Sequence, residues 1–118
     1  MKRVVFDIET EAFSEAFRKA ETTQQRRRHA PKMRLACVYR EWTRTHHYFL
    51  PDEADQLISM LQAADKVISF NGKQFDLLVL RRHHGLKGRV PARGDYHHID
   101  LHQIMSKKAG FRVSLNYV

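Results

Sequence analysis

The sequence predicts a mixed α/β sheet with helices packed on it. Two observations indicate this class. A strand-forming run, "VVFDIET" at residues 4–10, opens the chain and is followed by a hairpin pattern. Later in the chain, short apolar strands alternate with amphipathic helical patterns. The chain has 118 residues, 42% of them hydrophobic, which predicts one folded domain over residues 1–118.

The first strand carries two carboxylates on one face. Asp7 and Glu9 stand two positions apart, and alternate side chains of a strand share a face. Val5 lies on the same side, and apolar residues fill the other side. We therefore expect a buried central strand that is apolar on both faces until the acids begin. Two like charges so close are costly unless a cation or a proton relieves them.

A polar segment follows at residues 11–30, rich in helix-favouring Ala, Glu, Gln, Lys and Arg. Phe13 and Phe17 are spaced i, i+4, which predicts a helix or a partly helical excursion. Pro31 ends the pattern. The arginine run 26–28 is open to two interpretations, a solvated loop or an arm that contacts phosphates.

A hairpin and a helix come next. "MRLACVYREW" and "THHYFLP" predict two strands joined by a tight turn near Thr43 and Arg44. From Asp52, a candidate N-cap after Pro51, apolar residues recur at helical spacing and predict one buried face. The residues of that face are Ala54, Leu57, Ile58, Leu61 and Ala64.

The rest of the chain predicts two further strands and two helices. "KVISF" is a short strand ended by "NG", and "KQFDLLVLRRHHG" is an amphipathic helix closed by Gly85. "LKGRVPARGD" has the composition of a loop. "YHHIDL" is a last short strand that leads into the weakly helical "HQIMSKKAG".

The charge balance favours an anionic partner. Lys and Arg exceed Asp and Glu by 21 to 13, giving a net charge of +8 and a pI near 10.0. Nucleic acid is favoured over membrane because no lipid-binding amphipathic helix or membrane-length apolar run is present. Solubility alone is the alternative explanation. The single Cys37 excludes an internal disulfide, fits a cytoplasmic location and is expected to be a small buried hydrophobe.

A third carboxylate, Asp76 in "SFNGKQFD", stands in the first turns of a helix that closely follows a strand. In an α/β sheet this position lies near the strand ends, where ligand crevices form. We therefore expect Asp76 to converge with Asp7 and Glu9.

These motifs resemble a known family. "FDIET" followed by "SFNGKQFDLLVLRRH" is similar to the first two motifs of the DEDD superfamily of 3′–5′ exonucleases, which have the ribonuclease H-like fold. The nearest resemblance is to bacterial proteins related to the proofreading domain of family B DNA polymerases. "HHIDLHQIMSKKAGFRVSLNYV" also resembles the stretch after the second motif, so the resemblance covers nearly the whole chain.

The resemblance implies a two-metal phosphodiester hydrolase acting on single-stranded DNA or RNA. It implies that Asp7, Glu9 and Asp76 are the catalytic acids and bind two divalent cations. Hard Mg²⁺ or Mn²⁺ would suit carboxylate ligands. The resemblance further implies that Thr10, through its backbone, and the side chains of Asn71 and Phe75 place the 3′-terminal nucleotides.

The sequence departs from the family at its third motif, a Tyr or His followed by a fourth catalytic Asp on a C-terminal helix. Tyr96 and Asp100 stand four apart, but on a predicted strand, where that offset does not bring them together. We interpret Asp100 mainly as structural and keep a fourth metal ligand as the alternative. The resemblance thus implies a C-terminally truncated domain with weak hydrolysis, and an uncovered face that binds a second copy or a protein partner.

Two alternatives remain. A truncated, weakly active or inactive relative would serve as a nucleic-acid-binding or protein-interaction module. The second alternative is a zinc site built from the histidine pairs, although adjacent histidines on a strand point to opposite faces. The histidines concerned are His46, His47, His83, His84, His97, His98 and His102.

Overall fold

The computed structural model describes residues 1–110, and its described part contains a five-stranded mixed sheet with flanking helices. The predicted fold class is confirmed. The strands are β1 (Arg3–Thr10), β2 (Met33–Arg40), β3 (Thr45–Phe49), β4 (Lys66–Ser69) and β5 (His98–Asp100). The helices are α1 (Glu15–Arg18), α2 (Thr23–Arg28), α3 (Ala54–Ala63), α4 (Leu77–His83) and α5 (Leu101–Ala109). "FRVSLNYV", the end of the family resemblance, lies outside the described residues.

The strand order is β3-β2-β1-β4-β5, so β1 is central. β1 pairs antiparallel with β2, which pairs antiparallel with β3 in the predicted hairpin. On its other side β1 runs parallel to β4, and β4 runs parallel to β5. The carboxyl ends of β1, β4 and β5 therefore meet at one edge of the sheet, where α/β folds form ligand crevices.

The core covers one face of the sheet. The alternate residues of β1, among them Phe6, are buried in a cluster with leucines of α3 and α4. Val5, on the other face, is 44% exposed. The expectation that β1 is buried on both faces was wrong. Within residues 1–110, only the alternate side chains on the core face of β1 are covered.

The polar excursion between β1 and β2 is partly helical, as predicted. Its ends are tied together, since Glu11 N donates to Lys32 O at 3.0 Å and Lys32 N donates to Glu11 Oε1 at 3.1 Å. Phe13 precedes α1 rather than belonging to it, yet its ring lies 5.0 Å from that of Phe17. The arginine run 26–28 is not a loop but the last turn of α2.

The start of α3 differs from the prediction that Asp52 is its N-cap. A 3₁₀ turn, Pro51–Glu53, precedes the helix, and Leu50 N donates to Glu53 Oε1 at 3.0 Å. Proline at the first helical position has its φ already set and no N–H to satisfy, so the helical turn begins before Asp52. The buried face was predicted correctly at Ala54, Leu57, Leu61 and Ala64, with Ile58 partly buried.

The connection from β4 to α4 depends on a glycine. Asn71 adopts a left-handed conformation (φ 64°), and a π-helical turn, Gly72–Asp76, then leads into α4. A Cβ built on Gly72 would lie 2.6 Å from the Cβ of Ser69 and 3.1 Å from Phe6 Cζ. Only a residue without a side chain lets the turn approach the sheet this closely.

We expect Gly72→Ala to lower the free energy of unfolding by about 1–3 kcal/mol, because the added methyl overpacks a buried contact. Urea denaturation measures the change. Gly85→Ala is the control. Gly85 also lies in a left-handed conformation (φ 69°), but no atom lies within 4 Å of its built Cβ. That variant should lose only about 1 kcal/mol through backbone strain. An equal or smaller loss for Gly72→Ala would contradict the steric account.

Candidate active site

Asp7 and Glu9 lie on the open face of β1, near its carboxyl end, with both side chains exposed. Their shared face follows from the two-residue period of a strand. Asp7 is paired in register with Cys37 of β2, and Glu9 is paired with Leu35. The predicted juxtaposition of these two acids is therefore present in the sheet.

Asp76 reaches the same edge from the turn after β4. Its side chain is 3% exposed, and its Oδ2 accepts a hydrogen bond of 3.0 Å from Ile8 N. β4 pairs with β1 only along Arg3–Val5, so the ladder has ended before Ile8. The carboxylate thus supplies the acceptor that a longer β4 would have provided, because a buried N–H needs a partner.

The acids influence one another's ionisation. Burial, and then the charge of Asp7, raise the pKa of Asp76 to about 8, with smaller contributions from Asp100 and Glu9. The pKa of Asp7 is raised by partial desolvation first, then by the charge of Glu9 and a hydrogen bond to it. Without a counter-charge, the edge therefore retains protons that isolated carboxylates would lose.

The three acids fit a divalent cation in the chemistry of their donor atoms but are not arranged as a ready metal site. Within residues 1–110, no group of three or more His, Cys, Asp or Glu side chains stands ready as a metal site. The donors nevertheless suit a hard cation in chemistry, since all three are carboxylates. They also suit it in charge, because burial first, and repulsion between the acids second, raise the pKa of Asp76 and that of Asp7, and a cation would relieve both effects. Metal binding by Asp7, Glu9 and Asp76 stays a prediction.

Asp100 has both carboxylate oxygens engaged by the backbone. Oδ1 accepts from Asn71 N at 2.7 Å and from His102 N at 3.0 Å, and Oδ2 accepts from Lys73 N at 3.3 Å. Asp100 is the N-cap of α5 and also holds the turn that delivers Asp76. This geometry supports the structural interpretation over the fourth-ligand alternative.

The predicted substrate-contacting residues have distinct surroundings. Asn71 presents a buried side-chain oxygen, Oδ1, that has no hydrogen-bond partner among the described residues. Phe75 is half-buried, with its ring 5.2 Å from that of Phe13 and 5.9 Å from that of Phe17. Thr10 is half-buried at the end of β1, and its hydroxyl donates to Glu11 O at 2.9 Å. Substrate contact by these residues is untested.

This aromatic cluster of Phe13, Phe17 and Phe75 was not anticipated from the sequence. The i, i+4 spacing of Phe13 and Phe17 was a signal for their contact. Nothing in the local sequence indicates that Phe75, far along the chain, completes the cluster. Phe13 is 42% exposed, so the cluster presents an apolar ring at the surface.

The histidines take part in separate local contacts. His98 Nε2 bonds Ser69 Oγ at 2.7 Å, and burial lowers the pKa of His98. His83 Nε2 contacts Ala30 O at 2.7 Å. His47 Nε2 accepts from Arg40 Nε at 2.9 Å.

Cys37 is half-buried rather than fully buried as expected. Partial desolvation, and then the charge of Asp7, raise the pKa of the Cys37 thiol. The thiol therefore stays protonated at neutral pH and is a poor nucleophile.

The described architecture is that of an RNase H-like protein: a mixed sheet with a central strand whose acids meet a third acid at the strand ends. A family model described as the RNase H superfamily matches residues 4–118. The chain belongs to the RNase H superfamily.

Among solved structures, the chain is similar to the family B DNA polymerase of the hyperthermophilic archaeon Pyrobaculum calidifontis. The TM-score is 0.58 at 14% sequence identity, over 90% of this chain. The chain spans only 16% of the polymerase, so this likeness concerns the fold of one part of that enzyme. No curated protein matches the sequence.

The raised pKa of Asp76 predicts a pH dependence of stability. Between its ordinary value of 3.8 and about 8, Asp76 holds a proton when folded and loses it when unfolded. In metal-free protein, the free energy of unfolding should therefore fall as pH rises through this window, by up to about 1.4 kcal/mol per pH unit. Asp7 contributes in the same direction.

Urea denaturation in EDTA, across this pH range, measures the effect against Asp76→Asn. The amide keeps an oxygen to accept from Ile8 N but does not titrate, so the variant should show a shallower fall. If the free energy of unfolding fell equally with pH in both proteins, the pH dependence would not come from the raised pKa of Asp76.

Asp100→Ala should lower the free energy of unfolding by about 2–4 kcal/mol, because it leaves backbone donors of Asn71, Lys73 and His102 without their acceptor. Asp95→Ala is the matched control. Asp95 forms a surface ion pair with Lys73, and its loss should cost below about 1 kcal/mol. Chemical denaturation compares the two, and similar losses would argue against a capping role for Asp100.

Proposed function

We propose that the protein is a divalent-metal-dependent 3′–5′ exonuclease that hydrolyses single-stranded nucleic acid. The observation that carries the proposal is the meeting of Asp7, Glu9 and the buried Asp76 at the carboxyl ends of the parallel strands. A buried acid with a pKa near 8 beside other acids is typical of functional sites. Membership of the RNase H superfamily supports nuclease-type chemistry.

In this proposal Asp7, Glu9 and Asp76 hold Mg²⁺ or Mn²⁺. Bound divalent cations would supply an activated water and neutralise charge on the leaving oxygen. The hydrogen bond from Ile8 N to Oδ2 of Asp76 holds the carboxylate in one orientation. In this proposal, that orientation positions Asp76 to bind the metal. The 3′–5′ direction rests on the sequence motifs that contain these acids.

Substrate placement is assigned to residues beside the acids. The Oδ1 of Asn71 is buried and has no hydrogen-bond partner among the described residues, so the proposed contact requires a substrate donor to reach it. Phe75 and the exposed ring of Phe13 offer a surface on which a base could stack. The backbone of Thr10 lies next to Glu9, at the position proposed for the 3′ end.

A second candidate function is a nucleic-acid-binding or protein-interaction module with little or no activity. Two observations favour it. The acids in residues 1–110 do not form a ready-made cluster of metal ligands. The open sheet face also exposes apolar side chains, at Val5, Leu35 and Tyr48. A second copy of the chain or another protein would cover that face.

No helix in the described part of the chain is long and apolar enough to cross a membrane.

The exonuclease proposal is tested with single-stranded DNA and RNA labelled at either end, in Mg²⁺, Mn²⁺ or EDTA. We expect metal-dependent shortening from the 3′ end, with Asp7→Asn reducing the rate by about 10²–10⁴-fold. Asp52→Asn, the same change at an exposed acid outside the site, should leave the rate unchanged. Shortening that persists in Asp7→Asn would indicate a contaminating nuclease. Strand binding without shortening would leave the binding-module alternative.

A further inference from the structure

A groove on the outer surface of the protein is lined almost entirely by arginine. It lies between α2 and α4, with a volume of about 280 Å³. Its lining residues are Gln24, Arg27, Arg28, Arg81 and Arg82. None of the described residues that line it is a carboxylate, and four of the five are arginines.

The four arginines of this arginine groove take no part in the ion pairs of the described residues. Those pairs are Arg3–Glu41, Lys19–Glu15, Lys73–Asp95 and Arg93–Asp65. One guanidinium of the groove is oriented by a backbone contact, because Arg81 Nη1 donates to Gly88 O at 3.1 Å. Like charges that line one groove repel one another, and a bound anion would relieve that repulsion.

Helix α2 is held in place without apolar burial, since none of its residues is buried. Thr22 and Gln25 form a capping box at its start. Arg26 attaches it to the protein, with Nη2 donating to Gln74 O at 3.3 Å and the guanidinium 4.8 Å from the Phe17 ring. The helix is thus built from polar contacts, and its last turn presents Arg27 and Arg28 to the groove.

The groove is separate from the acidic edge. Asp76, at the start of α4, points to the sheet, and Leu80, one turn later, is fully buried on the same side. Arg81 and Arg82 follow at 100° intervals and lie on the outer side of the helix, against α2. A ligand in the groove therefore contacts the helix layer from outside and does not touch the acids.

We propose that the arginine groove binds the sugar–phosphate backbone of single-stranded nucleic acid. The choice of nucleic acid over other polyanions rests on the proposed function. Guanidinium forks match phosphate oxygens in charge and in bidentate geometry. None of the described lining residues is aromatic, so in this proposal the groove holds phosphates and not bases, and binding there is independent of sequence.

A second cavity, of about 240 Å³, is bordered by residues of α2 and of the chain around Asp76; its lining residues are Glu21, Thr23, Arg26, Lys73, Gln74 and Leu78. Lys73 and Gln74 belong to the turn that carries Asp76. In this proposal a strand held in the arginine groove runs along α2 towards the turn at the acidic edge, past the carboxylate of Glu21.

The test is equilibrium binding of a labelled single-stranded oligonucleotide in EDTA, measured by anisotropy over a range of NaCl concentrations. The variants are Arg27→Gln with Arg28→Gln, and Arg81→Gln with Arg82→Gln. Each pair should reduce the slope of log affinity against log salt by about 1.4, because about 0.7 counterions are released per phosphate contact to a single strand. The loss should be the same for different homopolymers.

Lys107→Gln with Lys108→Gln is the matched control, since it removes two exposed positive charges from the end of α5. This pair should leave the slope close to that of the unaltered protein. Thermal unfolding of each variant confirms that the fold is retained; all four arginines lie at the surface groove and contribute no buried side chain.

Three results would overturn the proposal. The arginine pairs could leave the slope unchanged, or the lysine pair could reduce it equally, which would indicate diffuse charge. Polyglutamate could compete as well as the oligonucleotide for the arginines, which would assign the groove to an acidic polypeptide. Binding is measured in EDTA, which prevents metal-dependent hydrolysis, so binding and shortening are separate readouts.

Binding that depends on the arginines, without any shortening in Mg²⁺ or Mn²⁺, would support the groove and refute the exonuclease proposal. Shortening together with binding that does not depend on the arginines would support the exonuclease proposal and refute the groove.

Discussion

The hydrogen bond from Ile8 N to the buried carboxylate of Asp76 joins the two halves of the site. β4 ends before it can pair with the last part of β1, and Asp76 satisfies the donor left behind. The bond requires the turn after β4 to lie close against the sheet, which only Gly72 permits. It also places a third acid beside Asp7 and Glu9. The side chain of Asp76 therefore has two roles: it accepts the hydrogen bond of the buried Ile8 N–H, and it brings the third acid to the acidic edge.

The charge of the protein is divided between surfaces. Although its net charge is +8, the protein has an acidic edge formed by Asp7, Glu9 and Asp76. Burial and repulsion there raise the pKa of Asp76 and that of Asp7. Arginines gather instead on the outside of the helix layer, between α2 and α4. The acids suited to cations and the guanidinium groups suited to phosphates thus belong to different sets of residues at different sites. This separation lets both charge clusters persist without neutralising each other in ion pairs.

Sequence reasoning succeeded where short-range periodicity controls structure. The hairpin, the buried face of α3 and the shared face of Asp7 and Glu9 follow from spacings of two to four residues. It failed where distant segments decide. Val5 is exposed because the core of the described residues covers only the opposite face of β1, and α2 is stabilised by a contact between Arg26 and Gln74, 48 positions away.

By itself, the sequence determined the fold class, the order of the elements and the presence of acids at the ends of two strands. Hydrophobic period and turn residues are local properties, and they carry that information. Only the tertiary structure decided which acids meet and which serve the backbone. Asp76 and Asp100 are both buried acids at strand ends, but Asp76 lies against β1, whereas Asp100 caps α5 and the Asn71 turn. Strand order and the packing of the turns determine these different roles of Asp76 and Asp100. Neither can be predicted from the spacing of residues close together in the sequence.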